Sequence, residues 1–352
     1  MTTVKRSRDP NLDVVRCIAL LGVVSVHFFM HTNYYFRPVQ GARMYVMTLL
    51  RTGAMTCVPL FLLLSGYLLR NKRPEKGYYL SLIRTLGIYL LACGVSLLYR
   101  LHAMPQLTAR ELLQKFLNFN LPEYGWYIEM YLGLFLLIPW LNILFHALEG
   151  KRQKQRLLLT LLALTALPEL VNIDSKLLLL PDWWVNLYPV TYYLLGSYLR
   201  EYPVKCRPRT AFLGFGLLVL AAGSMNFGLS HGKNFVWGNW QDWGSALNLG
   251  MAVLLLTGVN GMDLSRMPGW LKVAFARMSE WSLGAFLVSW IFDFTFYPIL
   301  CARVADPHLR LNWMPVMVPA VYCCSLALSA LLQMVYDLTL GRLLRKKQQR
   351  LR

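Results

Sequence analysis

The sequence predicts an all-α integral membrane protein with about ten transmembrane helices and both termini in the cytoplasm. Three observations predict it. The 352 residues are 56% hydrophobic and only 15% charged, whereas soluble domains run at about 45–50% apolar and about 25% charged. The apolar residues gather into stretches close to the roughly 20 residues that cross a bilayer as a helix. The 36 Lys and Arg outnumber the 17 Asp and Glu, and most of them fall in alternate connections between those stretches, as cytoplasmic loops require. The formal charge of +19 is therefore read as topology, and nucleic acid is not an expected partner.

The first span, 12–31, follows a basic lead of residues 1–11. Its apolar run has no small-x-small exit, so it is expected to stay as an anchor rather than be cleaved. The second, 48–69, can begin a few residues earlier; the third is 80–99. Between the third and fourth, residues 100–125 contain Pro105, Pro122 and a short amphipathic piece (Leu112, Leu113, Phe116, Leu117) suited to the outer interface or to covering a cavity. The fourth span, 126–146, opens on an aromatic pair, and the fifth, 157–172, is short. Spans 183–199, 211–229, 243–260, 279–300 and 313–338 complete ten, an even number that returns the tail 339–352 to the side of the lead. Basic clusters at Lys5–Arg16, Arg70–Arg84, Lys151–Arg156, Arg200–Arg209 and Arg266–Arg277, and in the tail from Arg342, all fall on that side. No repeat or linker divides the chain, so residues 1–352 form one membrane domain. The seven Cys lie mostly in apolar runs without C-x-x-C spacing, which argues against a zinc site or a disulfide framework.

Ionisable residues inside spans cost roughly 2.5–3.5 kcal/mol each on insertion scales and are functional candidates for that reason. His27 lies deep in the first span, expected near mid-membrane, and Arg16 stands eleven residues before it. Eleven residues make three turns plus about 20°, a rise of about 16 Å, so both side chains share a helix face. A lone membrane histidine is either a packing residue or a functional one, and the aligned arginine favours function. Asp13, one turn before Arg16, is expected to cap the helix or to orient the guanidinium. His31 is spaced to pair with His27, but there is no H-E-x-x-H, and no metal is expected. In the second span Pro59 frees a backbone carbonyl and Ser65-Gly66 permits close helix approach. Arg70, Lys72, Arg73, Lys76 and Arg84 gather beside the mouth where Arg16 sits, either as topological charge or as a phosphate-binding rim. Trp126, Tyr127 and Glu129 open the fourth span, and Ser289 and Asp293 lie in the ninth. Placed toward the outer half, these acids, hydroxyls and rings suit a sugar or a cation path.

Taken together, these residues resemble acyltransferase family 3, the integral-membrane O-acyltransferases. Asn11-Leu-Asp13-x-x-Arg16 followed by His27 is similar to its first-helix signature, and Val58-Pro-x-Phe-x-x-x-Ser65-Gly-Tyr67 to its second-helix motif. Trp126-Tyr with Gly133-Leu-x-Leu-x-x-Pro139 resembles the fourth-helix block, and Ser282-Leu-Gly284-x-Phe the late Ser-x-Gly-x-Tyr motif. The resemblance spans about residues 11–338 and lies nearest to the compact type that acetylates bacterial surface glycans, such as the enterobacterial common antigen O-acetyltransferases. Where the family often has a histidine after the late motif, this chain has Ser289-Trp290.

The resemblance implies a cytoplasmic acyl-CoA donor, most simply acetyl-CoA, and an envelope glycan or lipid-linked sugar acceptor at a bacterial inner membrane. His27 is then the catalytic residue, as general base or as transiently acylated nucleophile. Arg16, Arg84, Arg73 and Lys72 are expected to bind acyl-CoA, and Asp13, Ser65 and Tyr67 to orient the site. Trp126, Tyr127, Glu129, Ser289 and Asp293 are expected to bind the acceptor. The competing readings are a proton-coupled transporter using His27, Glu129 and Asp293, and a succinyltransferase acting on periplasmic glucan.

Overall fold

A computed structural model describes residues 8–172, 178–237 and 239–342. The basic residues Lys5, Arg6, Arg345, Lys346, Lys347, Arg350 and Arg352, with most of the expected lead and tail, lie outside the described residues. Among those described there is no β-strand, only one isolated parallel bridge between Val39 and His231. The helices are α1 Pro10–His31, α2 Gly41–Ala54, α3 Cys57–Leu69, α4 Lys76–Ala103, α5 Ala109–Leu117, α6 Trp126–Ala147, α7 Gly150–Val171, α8 Tyr188–Glu201, α9 Pro208–Ser230, α10 Ala246–Asn260, α11 Gly269–Arg303, α12 Pro307–Arg310 and α13 Met314–Leu338.

Among the described residues seven helical segments are long and apolar enough to cross a membrane, Pro10–Phe36, Gly41–Leu69, Lys76–Ala103, Trp126–Ala147, Pro208–Ser230, Gly269–Arg303 and Pro307–Leu338. This is an integral membrane protein. The other three expected spans fall on α7, whose first turns are basic, and on α8 and α10, with 14 and 15 residues. Helices of that length reach only about 21–23 Å, short of the roughly 30 Å hydrocarbon core.

The second expected span is two helices rather than one. The chain descends as α2, breaks at Met55-Thr56 and resumes as α3, with Pro59 in its first turn. Proline is tolerated there because its missing N–H is not needed. The carbonyl it leaves free is that of Met55, and the Asn248 side-chain amide donates to it at 3.2 Å. A broken helix survives inside a bilayer only where a neighbour satisfies the freed group. The amphipathic piece is α5, capped by a reciprocal pair in which Thr108 and Glu111 bond each other's backbone N–H; Leu113 and Leu117 are exposed. Those two donors to its carboxylate, the Thr108 N–H and hydroxyl, hold Glu111 below the usual carboxylate range.

At the centre, α1 packs against α11, α3 and α13. Its start is fixed by Asp9, whose carboxylate accepts the Asn11 N–H, and by the Asn11 side chain, which donates to the carbonyls of Val259 in the last turn of α10 and Met262 just after it. The tightest crossing is α3 against α8. A Cβ on Gly66 would overlap the Tyr193 carbonyl, and one on Gly196 the Leu63 carbonyl; the Ser197 hydroxyl donates to the Gly66 carbonyl across the crossing at 3.1 Å. Gly66→Ala is therefore expected to cost about 3 kcal/mol or more, since backbone cannot move aside as a side chain can. Thermal unfolding in detergent checks this, with Gly94→Ala, a site open to solvent or lipid, as the variant that stays near wild type. Equal midpoints for the two would refute the tight crossing.

Candidate active site

The last turn of α1 carries His27 and His31, and their partners arrive from two other places in the chain. Helix α11 supplies Asp293, and the segment 118–125 ahead of α6 supplies Tyr124. Asp293 is fully buried. Its Oδ2 accepts the Tyr124 hydroxyl at 2.8 Å and lies 3.4 Å from His27 Nδ1 and 4.0 Å from His31 Nε2. The Tyr124 ring stacks on the His27 imidazole, with centroids 3.6 Å apart, and its hydroxyl oxygen lies 2.8 Å from His31 Nε2. Asp293 Oδ1 makes no hydrogen bond among the described residues, so every contact of this buried carboxylate falls on one oxygen.

His27 Nδ1 faces the carboxylate at 3.4 Å with no hydrogen bond yet formed among the described residues; a proton on that edge leaves the Nε2 lone pair on the opposite one. A histidine held in this way is arranged as a general base steadied by an acid. The 3.4 Å separation is longer than a formed hydrogen bond, and such bonds commonly close up only when substrate is present.

A cavity of about 230 Å³ follows the same face of α1. It runs from Arg16 past Val23, between Phe61 and Ser65 of α3 and Tyr127 and Phe286 of α6 and α11. It ends one turn short of His27. At its Arg16 end it shares Arg16, Thr85, Ser282 and Leu283 with a second cavity of about 400 Å³ that adds Arg8 and Arg84. There the Arg16 guanidinium donates to the Ser279 hydroxyl at 2.9 Å, and Arg84 pairs with Glu280 at 2.9 Å. Lys72 and Arg73 line a separate cavity of about 500 Å³ with Arg70, Asn142 and His146. The expected single rim of cations is therefore two.

Other expectations change in the same way. His27 sits four residues from the end of α1, about 6 Å along the axis, inside the apolar segment Pro10–Phe36. Asp9, not Asp13, caps the helix; Asp13 clasps Arg8 at 2.7 and 2.9 Å and stands 4.0 Å from Arg16. Ser65 lines the first cavity, its hydroxyl donating to Phe61 within α3. Tyr67 accepts from Arg200 at 3.0 Å, at the far end of α3 from His27. Trp126 stacks on Trp243 at 4.6 Å, and the Ser289 hydroxyl donates to its own helix at Phe286. Glu129 is exposed and makes no hydrogen bond or ion pair among the described residues, so the two expected acids do not meet. Tyr124 and Arg8 escaped the sequence reading. The only trace of Tyr124 was its place two residues before Trp126 in the fourth-helix block.

Fold and site thus define an integral membrane protein with a buried histidine–carboxylate pair above a cavity that opens among arginines. The chain belongs to acyltransferase family 3: the family's model, described as an acyltransferase domain, matches residues 9–334, and the protein is a membrane acyltransferase. No curated protein and no solved structure gives a match. Membership sets aside the transporter reading.

Proposed function

We propose that this acyltransferase is an O-acetyltransferase, moving the acetyl group of cytoplasmic acetyl-CoA to a hydroxyl of an envelope glycan or lipid-linked sugar at a bacterial inner membrane. The observation that carries the reading is the face of α1 on which Arg16, the cavity past Val23 and His27 stand in line. In this reading CoA phosphates meet Arg16, Arg8 and Arg84, because guanidinium groups match phosphate oxygens two at a time. The pantetheine arm enters the largely apolar cavity and brings the thioester toward His27. The acceptor hydroxyl attacks the thioester carbonyl as His27 Nε2 takes its proton. The C–O bond forms, the C–S bond breaks, and the proton passes from His27 to the CoA sulfur. Asp293 keeps Nδ1 protonated and steadies the imidazolium between those two transfers.

The cavity's lining favours acetyl over succinyl. That lining is mostly apolar, and Arg16 is the one cation on it, so a succinyl carboxylate would enter apolar walls unpaired at considerable cost. Both cytoplasmic termini and a ten-span count, with α8 and α10 as shortened spans between longer neighbours, are part of the same proposal, supported by the clustering of Lys and Arg in alternate loops. Mass spectrometry of host envelope glycans with and without the protein tests the function. An acetyl-sized increment that depends on the protein is expected, and a succinyl-sized one, or none, would overturn it.

Arg16→Lys is expected to weaken CoA binding by roughly tenfold, because an ammonium cannot replace a two-pronged guanidinium. Titration calorimetry with CoA reads this directly. An unchanged affinity would return Arg16 to a purely topological role.

A further inference from the structure

We propose that Tyr124 is a positioning residue for acyl transfer, with His31 as its support. This inference rests on the reading of His27 as general base. A phenol has a single O–H, and Tyr124 donates it to Asp293 Oδ2 at 2.8 Å. The His31 Nε2 that lies 2.8 Å from the same phenol oxygen must then be the donor in that contact. The chain of donation runs from His31 Nε2–H to Tyr124, from Tyr124 O–H to Asp293 Oδ2, and from His27 Nδ1–H toward the same Oδ2. The two donors converge on a single carboxylate oxygen. This polarity holds His27 in the tautomer whose free lone pair is on Nε2, and the stacked Tyr124 ring, tilted by 28°, fixes the plane of the imidazole.

The segment that carries Tyr124 is itself anchored. Arg100, almost wholly buried, donates to the carbonyls of Leu121 at 3.0 Å and Asn120 at 3.4 Å and pairs with Glu123 at 2.5 Å. Its guanidinium also lies over the Trp290 ring, 4.3 Å from the centroid. One side chain of α4 therefore ties the Tyr124 segment both to α4 and to α11, the helix that bears Asp293. A tyrosine that merely filled space would need neither its hydroxyl contacts nor this anchor.

Transfer of labelled acetyl from acetyl-CoA into envelope material of host membranes tests the proposal, with rates normalised to CoA-binding protein. Tyr124→Phe keeps the ring and removes the O–H; kcat is expected to fall roughly tenfold or more, the scale of a hydrogen bond to a charged group, while KM for acetyl-CoA stays within about twofold. His31→Gln keeps an N–H donor for the phenol oxygen and should stay within about threefold of wild type. His31→Leu removes the donor and should fall with Tyr124→Phe. Unchanged kcat in Tyr124→Phe, or equal loss in His31→Gln and His31→Leu, would overturn the proposal. If His27→Ala retains activity in the same membranes, it is the general-base reading beneath it that fails, so the two failures are separable.

Discussion

His27→Ala is expected to lower acetyl transfer by about 10²–10⁴-fold, the usual loss when a general base is removed, with CoA binding and expression preserved. The expectation follows from placement. His27 is the imidazole nearest the end of the cavity, its Nδ1 edge is occupied by Asp293 at 3.4 Å, and only Nε2 is left to take a proton. The CoA site is expected to survive because Arg16 stands three turns away on the same helix, about 16 Å along the axis. The side chain itself is held by Tyr124 stacking and the Asp293 contact. Transfer of labelled acetyl and calorimetry with CoA, run on the same preparation, read the two consequences apart. Activity above about a tenth of wild type would remove His27 from the chemistry.

Asp293→Asn is the second large effect, expected at a similar 10²–10⁴-fold in kcat. The substitution is nearly isosteric, so the cause is the proton and not the packing. An amide placed where Oδ2 now accepts from Tyr124 and faces His27 must turn either its oxygen or its NH₂ toward Nδ1. With the NH₂ there, Nδ1 becomes the acceptor, the ring proton moves to Nε2, and the base is lost. With the oxygen there, the tautomer survives but the charge that stabilised the imidazolium is gone. Either outcome lowers kcat and leaves KM for acetyl-CoA near wild type. The sequence suggested instead that Asp293 holds the acceptor. That role predicts a raised acceptor KM with kcat retained, and such a result would falsify the pairing of Asp293 with His27 in catalysis.

The legible part of the site was the part that lies on one helix. Arg16 and His27 share a face of α1 because helical geometry is local, and the cavity that follows this face past Val23 needs no other element to be anticipated. The close α3–α8 crossing was half legible, since Ser65-Gly66 signals small residues but nothing in the chain names Tyr193 as the partner. A freed carbonyl at Pro59 was legible, while the break at Met55-Thr56 and the Asn248 amide that satisfies that carbonyl were not.

What the sequence by itself determined is the class of the protein: apolar stretches matched to the bilayer, strongly basic loops alternating with less basic ones, and the motifs of the first, second, fourth and ninth expected spans. Tertiary structure decided which ionisable residues meet. It set Asp293 and Tyr124 on His27, left Glu129 exposed, gave the helix cap to Asp9 and left Asp13 beside Arg8 and Arg16, and divided the cation rim between two cavities. The physical reason is that a membrane helix is apolar toward lipid and toward its neighbours alike. Hydrophobic periodicity, which marks the buried face of a helix in water, therefore does not report the rotation of α11 about its axis. That rotation is set by side-chain packing and interhelical hydrogen bonds, and these exist only once the helices are together.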